Sequence, residues 1–174
     1  MTARNIHFMG DSAAGTIRRH PAAGNVLAMK LRVAWIGKTK EAAIQSLGAE
    51  YLKRLGRYVP VEAHELGSEE AVLKLASKAG RTAPVLVLLD SRGKQLSSEE
   101  LANLLREYQE RGTQELIFAI GPADGWSENA RKGAAKILSL GKMTLPHELA
   151  RIVLLEQLYR GFTILAGHPY HSGH

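Results

Sequence analysis

The chain contains no cysteine. Disulfides, thiolate metal centres and cysteine nucleophiles are thereby excluded, and the composition fits a reducing compartment. Aromatic residues are scarce, at 6% of 174 residues, so a core has to come mainly from aliphatic side chains. No uninterrupted apolar run approaches the roughly 20 residues that cross a bilayer, and the N-terminus lacks the apolar stretch of a signal peptide. The expectation is a soluble, cytoplasmic protein with no membrane partner. Neither a G-x-G-x-x-G fingerprint nor a phosphate-loop lysine motif occurs, which argues against ordinary nucleotide cofactors. Internal repeats and low-complexity tracts are also missing.

What is present suits one domain: 45% of the residues are hydrophobic, and the length accommodates a single proper core. Basic residues outnumber acidic ones by 23 to 17. A positive field of this kind attracts polyanions such as RNA. Residues 1–28 mix Gly, Ala, Arg and Ser without helical or strand periodicity and are expected to be a disordered extension. The patterned domain begins at Met29 and runs to the end of the chain.

From Leu31 onward, short β-favouring apolar runs alternate with helical stretches, which predicts an α/β fold with a parallel sheet flanked by helices. Leu31 to Ile36 reads as a strand, Glu41 to Tyr58 as a helix ended by Pro60, Val61 to Leu66 as a strand, and Glu69 to Ala79 as a helix capped by Ser68. Pro84 to Asp90 is apolar without alternation, as in a central strand covered on both faces. Ser97 or Ser98 caps a helix to about Arg111. Glu115 to Ile120 and Lys136 to Leu140 read as strands around a short helical segment, and His147 to Leu165 as a long helix.

Ligands of open α/β sheets bind beyond the carboxyl ends of the strands. Three loops qualify: the one after Leu89-Asp90, the Gly121 to Gly125 loop, and Leu140 to Leu145. The glycines there let the backbone approach a ligand or adopt positive φ; equally, they suit a tight turn. In the last helix, Glu156 and Arg160 are spaced to pair, while the many apolar neighbours of Arg151, Glu156 and Arg160 suggest burial on more than one side, as at a dimer interface. The tail from Gly167 to His174 holds three histidines and Tyr170. It can be a frayed terminus, a metal site lacking the usual carboxylate or cysteine partners, or a segment that completes an active site.

The order Leu89-Asp90, Ile120-Gly121-x-x-x-Gly125, Leu140-x-Lys-Met-Thr-Leu-Pro-His147, Arg151-Ile-Val-Leu-Leu-Glu-Gln-Leu-Tyr-Arg160 and His168-Pro-Tyr-His171 resembles the family of large-subunit ribosomal RNA pseudouridine N3-methyltransferases. The resemblance extends from Met29 to His171. It implies the SPOUT methyltransferase fold with a C-terminal trefoil knot, a homodimer whose sites use both subunits, and S-adenosyl-L-methionine as cofactor. It places cofactor contacts at Leu89, Gly121, Leu140, Gly141, Lys142, Met143, Thr144 and Leu145, and no metal. The implied catalytic group is His171, Tyr170, Arg160 and Glu156, with the N3 proton passing to His171 or to water, Tyr170 orienting or stacking on the base, and Arg160, fixed by Glu156, stabilising charge or phosphate. The implied partner is ribosomal RNA within the ribosome. One departure stands out: where the family has two adjacent glycines, Gly121 is followed here by Pro122, which has no N–H. The competing expectations are a non-catalytic RNA-binding or ribosome-associated module of the same fold, and a knotted methyltransferase acting on transfer RNA.

Overall fold

The computed structural model describes residues 4–6, 29–77 and 82–172. In chain order the elements are β1 (Arg4–Ile6), β2 (Lys30–Ile36), α1 (Ala42–Leu55), β3 (Val61–Leu66), α2 (Glu69–Ser77), β4 (Val85–Gln95), α3 (Ser98–Glu110), β5 (Glu115–Ile120), α4 (Glu128–Gly133), β6 (Lys136–Ser139) and α5 (His147–Leu165), followed by a 3-10 turn over Pro169–Ser172. The strands form one sheet in the order β1-β3-β2-β5-β4-β6. Pairing is parallel throughout β3-β2-β5-β4-β6, and β1 adds an antiparallel edge to β3.

Alternation along the strands divides the core between two faces. Leu31, Val33 and Trp35 of β2, Val87 and Leu89 of β4, and Leu116, Phe118 and Ile120 of β5 pack with the buried residues of α1, α3 and α5. Their neighbours Ala34, Leu86, Leu88, Ile117 and Ala119 face Val72 and Leu75 of α2 and Ala130 of α4. Strands covered on both sides must be apolar at every position, which is why β4 and β5 read as continuous runs. The helix α5 lies against both α1 and α3, so Leu154, Leu155, Leu158 and Phe162 are buried within the chain itself. Much of the apolar character that suggested a dimer interface is therefore used internally.

Several boundaries depart from the sequence pattern. Helix α1 stops at Leu55, and Gly56 to Tyr58 form a further turn before Pro60. Ser97 rather than Ser98 is the cap of α3, in a reciprocal arrangement with Glu100: the Glu100 N–H donates to Ser97 Oγ at 3.1 Å and the Ser97 N–H to Glu100 Oε2 at 2.7 Å. The largest difference is β4, which continues to Gln95. Leu138 of β6 pairs with Leu89, and then, across a register shift, with Lys94. Residues 90–93 thus arch around β6, and a β-carbon on Gly93 would overlap the Leu138 backbone. Only glycine allows so close a crossing.

Of the first 28 residues, Arg4–Ile6 form β1, where no alternation predicted a strand; three residues are too few to show a period. The remainder lies outside the described residues. A chain starting at Met29 is expected to melt within a few degrees of the full-length protein, because both core clusters are built from residue 29 onward; calorimetry of the truncated chain tests this, and a large loss of thermal stability contradicts it.

Candidate functional site

Because β2, β5 and β4 run parallel and in register, with Trp35 and Leu89 both opposite Ile120, their carboxyl ends form one edge. The loops leaving that edge converge. Leu89 to Arg92, Ile120 to Trp126 and Ser139 to Leu145, with His147 and Ala150 of α5, enclose a cleft of about 530 Å³. Every residue expected to touch a cofactor lines it: Leu89, Gly121, Leu140, Gly141, Lys142, Met143, Thr144 and Leu145.

The walls are fixed from behind by side chains to which the sequence pattern assigns no role. Asp90, with a side chain only 3% exposed, accepts from Arg131 Nη2 at 2.7 Å and from the Arg92 N–H at 2.9 Å. Arg131 Nε donates to the Trp126 carbonyl at 3.1 Å, and Trp126 Nε1 donates to the Leu89 carbonyl at 2.9 Å. These bonds tie the first loop to the second through a buried ion pair in which no buried polar atom is left without a partner, the condition under which such a pair is tolerated. In the third loop, Ser139 Oγ accepts the Gly141 N–H and donates to the Gly141 carbonyl. The sequence carries two signals for this framework: Asp90 closes the Leu89-Asp90 pair, and Trp126 is one of only two tryptophans.

Gly121 has a role other than ligand approach. A β-carbon there would lie 2.7 Å from Trp126 Cε2, so the indole requires the bare backbone. Pro122 sits at the start of a turn in which its carbonyl accepts the Gly125 N–H at 3.0 Å, and Gly125 has φ of +85°. The turn needs a carbonyl from residue 122, which proline supplies; its missing N–H costs the turn nothing. Replacing Gly121 with valine is expected to displace Trp126, lowering stability by about 1–3 kcal/mol and weakening cofactor binding through the lost Leu89 contact. A melting curve and a titration on the same variant check both effects.

The proposed catalytic residues form a second cluster. Glu156 Oε1 accepts from Arg160 Nε at 2.9 Å and Nη2 at 2.7 Å, and from the Tyr170 hydroxyl at 3.3 Å. Gln157 Nε2 donates to the other Glu156 oxygen at 2.7 Å. The Arg160 guanidinium lies 5.1 Å from the Tyr170 ring centroid, and Tyr170 meets Tyr159 edge-on at 4.7 Å. Burial, the neighbouring Tyr51 hydroxyl and the Glu156 charge push the Tyr170 phenol up to about 12; it is a donor at any working pH. The hydrogen bonds to Glu156 also raise Arg160, against a smaller effect of burial. The backbone of His171 lies in the 3-10 turn, and its side chain lies outside the described residues.

Within one chain the two clusters are separate. None of Glu156, Arg160 and Tyr170 lines the cleft, and Arg160 stands ten residues beyond Ala150 on the same helix, a rise of about 15 Å. Arg151, grouped by its sequence neighbours with these charges, is instead internal: it is 3% exposed and bonded to the loop after β2.

A family model described as "Predicted SPOUT methyltransferase" matches residues 29–171 of this sequence. The chain belongs to the SPOUT methyltransferase family. Among similar proteins of this SPOUT chain is one from Koribacter versatilis named "Ribosomal RNA large subunit methyltransferase H", 70% identical over 146 residues, covering 84% of this chain and all of the relative. Another of the same name, from Geotalea daltonii, is 46% identical over 156 residues, covering 82% of this chain and 99% of its own. A solved structure described as a probable methylase family protein from Haemophilus influenzae aligns with a TM-score of 0.53 at 12% identity, over 79% of this chain and 66% of that one. That likeness concerns the fold. Among the described residues of this SPOUT chain, no helix is long and apolar enough to cross a membrane.

Proposed function

We propose that the protein transfers a methyl group from S-adenosylmethionine to N3 of a pseudouridine in large-subunit ribosomal RNA, as a cytoplasmic homodimer with a knotted fold. The observation that carries this is the convergence of the three strand-end loops on one cleft, in a chain whose full-length relatives bear the ribosomal RNA methyltransferase name. The cleft suits the cofactor. Its volume falls in the range of small-molecule sites; Leu89, Ile120, Leu140 and Leu145 offer apolar surface for an adenine, and Asp124, Lys142 and Arg92 offer charges at the rim. When bound there, S-adenosylmethionine supplies an electrophilic sulfonium methyl group.

The chain's own residues have a defined task. N3 of pseudouridine is a weakly acidic imide nitrogen that must lose its proton to become nucleophilic. Arg160, held by the two hydrogen bonds it donates to Glu156, is a fixed cation suited to the developing negative charge. Tyr170, kept protonated, can donate to the base and align it. His171 accepts the proton. The Glu156, Arg160 and Tyr170 cluster does not line the cleft of its own chain, an arrangement that supports a homodimer in which a second copy brings it there. Leu149, 47% exposed, and the half-buried Ile152 and Val153 give α5 an apolar strip to receive that copy. The arch of residues 90–93 around Leu138 supports the knot. Mass mapping of ribosomal RNA from cells with and without the gene tests the activity: one large-subunit pseudouridine should lose a methyl group when the gene is absent, and an unchanged map refutes the assignment.

A further inference from the structure

The connection between β2 and α1, Gly37 to Glu41, is a surface loop held by three charged side chains, far more than a simple connection needs. Arg151 Nη1 donates to Thr39 Oγ1 at 2.7 Å, and its Nη2 donates to the Ile36 and Gly37 carbonyls at 3.2 and 3.3 Å, with the guanidinium 5.3 Å from the Trp35 ring centroid. Glu65 Oε1 accepts from the Thr39 N–H, the Thr39 hydroxyl and Trp35 Nε1. Glu148 accepts the Lys40 and Glu41 N–H groups, one on each oxygen. Burial pushes the Glu65 carboxyl up, but the bonds from Thr39 and Trp35 and the Arg151 charge outweigh it and hold it low; the two backbone N–H groups hold Glu148 low as well. Burial lowers the Arg151 pKa, and its Nε has no hydrogen-bond partner. These bonds join the loop to α5 through Arg151 and Glu148 and to β3 through Glu65.

What this framework presents is a pair of lysines. Lys38 and Lys40 are exposed and form no salt bridge among the described residues. Lys40 contributes to the field that lowers Glu148, but both Glu148 oxygens are engaged by backbone. The location is equally defined. Since Trp35 is opposite Ile120, the loop leaves the sheet one strand, about 4.8 Å, from the loop that begins at Gly121. A single turn of α5 faces both: His147 and Ala150 line the cleft, while Glu148 and Arg151 hold the lysine loop. On the cleft wall Lys142 is a further exposed cation, while Arg92 is paired with Asp90 and Asp124 is an exposed anion.

We propose that the Gly37 to Glu41 loop, locked to α5 by Arg151 and Glu148, is a phosphate-contacting lip that receives the RNA strand beside the cleft through Lys38 and Lys40. The inference rests on the proposed function for its substrate and adds the surface that grips it. Contacts to phosphate position a strand without reading its sequence, so two cations carried on a fixed loop beside the cleft set register, and loss of that register costs rate.

The test uses the full chain, S-adenosylmethionine labelled in its methyl group, and ribosomes from cells lacking the gene. Changing Lys38→Ala and Lys40→Ala together is expected to lower kcat/KM for the ribosome at least about 10-fold at physiological salt and to reduce the slope of log(kcat/KM) against log salt by about 1–2, with cofactor affinity and melting temperature unchanged. Thr39→Val, which keeps both lysines but removes the oxygen that joins Arg151 to Glu65, should lower kcat/KM in the same direction while leaving cofactor affinity intact. Lys38→Arg and Lys40→Arg together should keep the wild-type salt slope. A double-alanine variant with wild-type kcat/KM and salt slope overturns the lip, as does one that loses cofactor affinity in equal measure. Failure of the unmodified protein to methylate these ribosomes overturns the proposed function instead.

Discussion

Deleting residues 168–174 is expected to abolish methyl transfer, with kcat reduced by about 100-fold or more while cofactor affinity stays within a few-fold. The segment carries Tyr170 and His171 but no residue of the cleft wall. Among the described residues, its attachments include the His168 N–H on the Thr163 carbonyl and the Tyr170 contacts with Glu156, Arg160, Tyr159 and Tyr51. Groups that act mainly in the transition state lower the catalytic rate on removal more than ground-state affinity. Single changes then divide the roles. A histidine acting as base must be neutral, so the rate rises as pH passes upward through its pKa; His171→Ala should remove that rise together with most of the rate. Tyr170→Phe should lower the rate and keep the shape of the pH profile, because the phenol, pushed up to about 12, does not titrate in the working range. Wild-type rates in the truncated enzyme would return the tail to a frayed terminus and remove both assignments.

The second large effect concerns assembly. If the cleft of one copy is completed by Glu156, Arg160 and Tyr170 of another, two separately inactive variants must rescue each other. Arg160→Ala leaves the cleft whole and damages the catalytic cluster; Thr144→Trp fills the cleft with an exposed residue's bulk and leaves that cluster whole. Each alone should be inactive. Mixed in equal amounts and allowed to exchange, half of the dimers pair one of each, and each such dimer has one intact site, so about a quarter of wild-type activity should return. No rescue, or sedimentation of the unmodified protein as a monomer at micromolar concentration, rules out a shared site.

The alternation of apolar runs made most strands legible. Val61–Leu66 and Glu115–Ile120 lie where the pattern places them, as does α5 from His147 to Leu165. The missed extension of β4 has a physical reason: residues 90–95 are polar and bent, and they join the ladder only because β6 lies beneath them, a contact across more than 40 residues that no local period records. Pro60 looked like the terminator of α1 because it cannot continue a helix, yet the helix unwinds earlier, at Gly56. In the site, the loops were visible as strand ends, but their fastening was not. Asp90, Trp126 and Arg131 meet only after folding, and Gly121 is glycine for the sake of an indole five residues away. Arg151 shows the same gap from the other side: among apolar neighbours it resembled an interface charge, and its partners prove to be two carbonyls and a hydroxyl in a loop over 110 residues earlier.

The position of β5 has a consequence for how the chain comes off the ribosome. It lies between β2 and β4 in the sheet but follows both in sequence. While the polypeptide is being made, β2 and β3 can pair at once, whereas β4 has no neighbour to join until Glu115–Ile120 emerges. At about 5–20 residues added per second, the Val-Leu-Val-Leu-Leu run of β4 waits on the order of seconds as an unpaired, wholly apolar edge. Synthesis therefore passes through a stage at which an incomplete sheet is sticky, and strains that translate slowly or lack nascent-chain chaperones should lose this protein to aggregation before they lose it to unfolding.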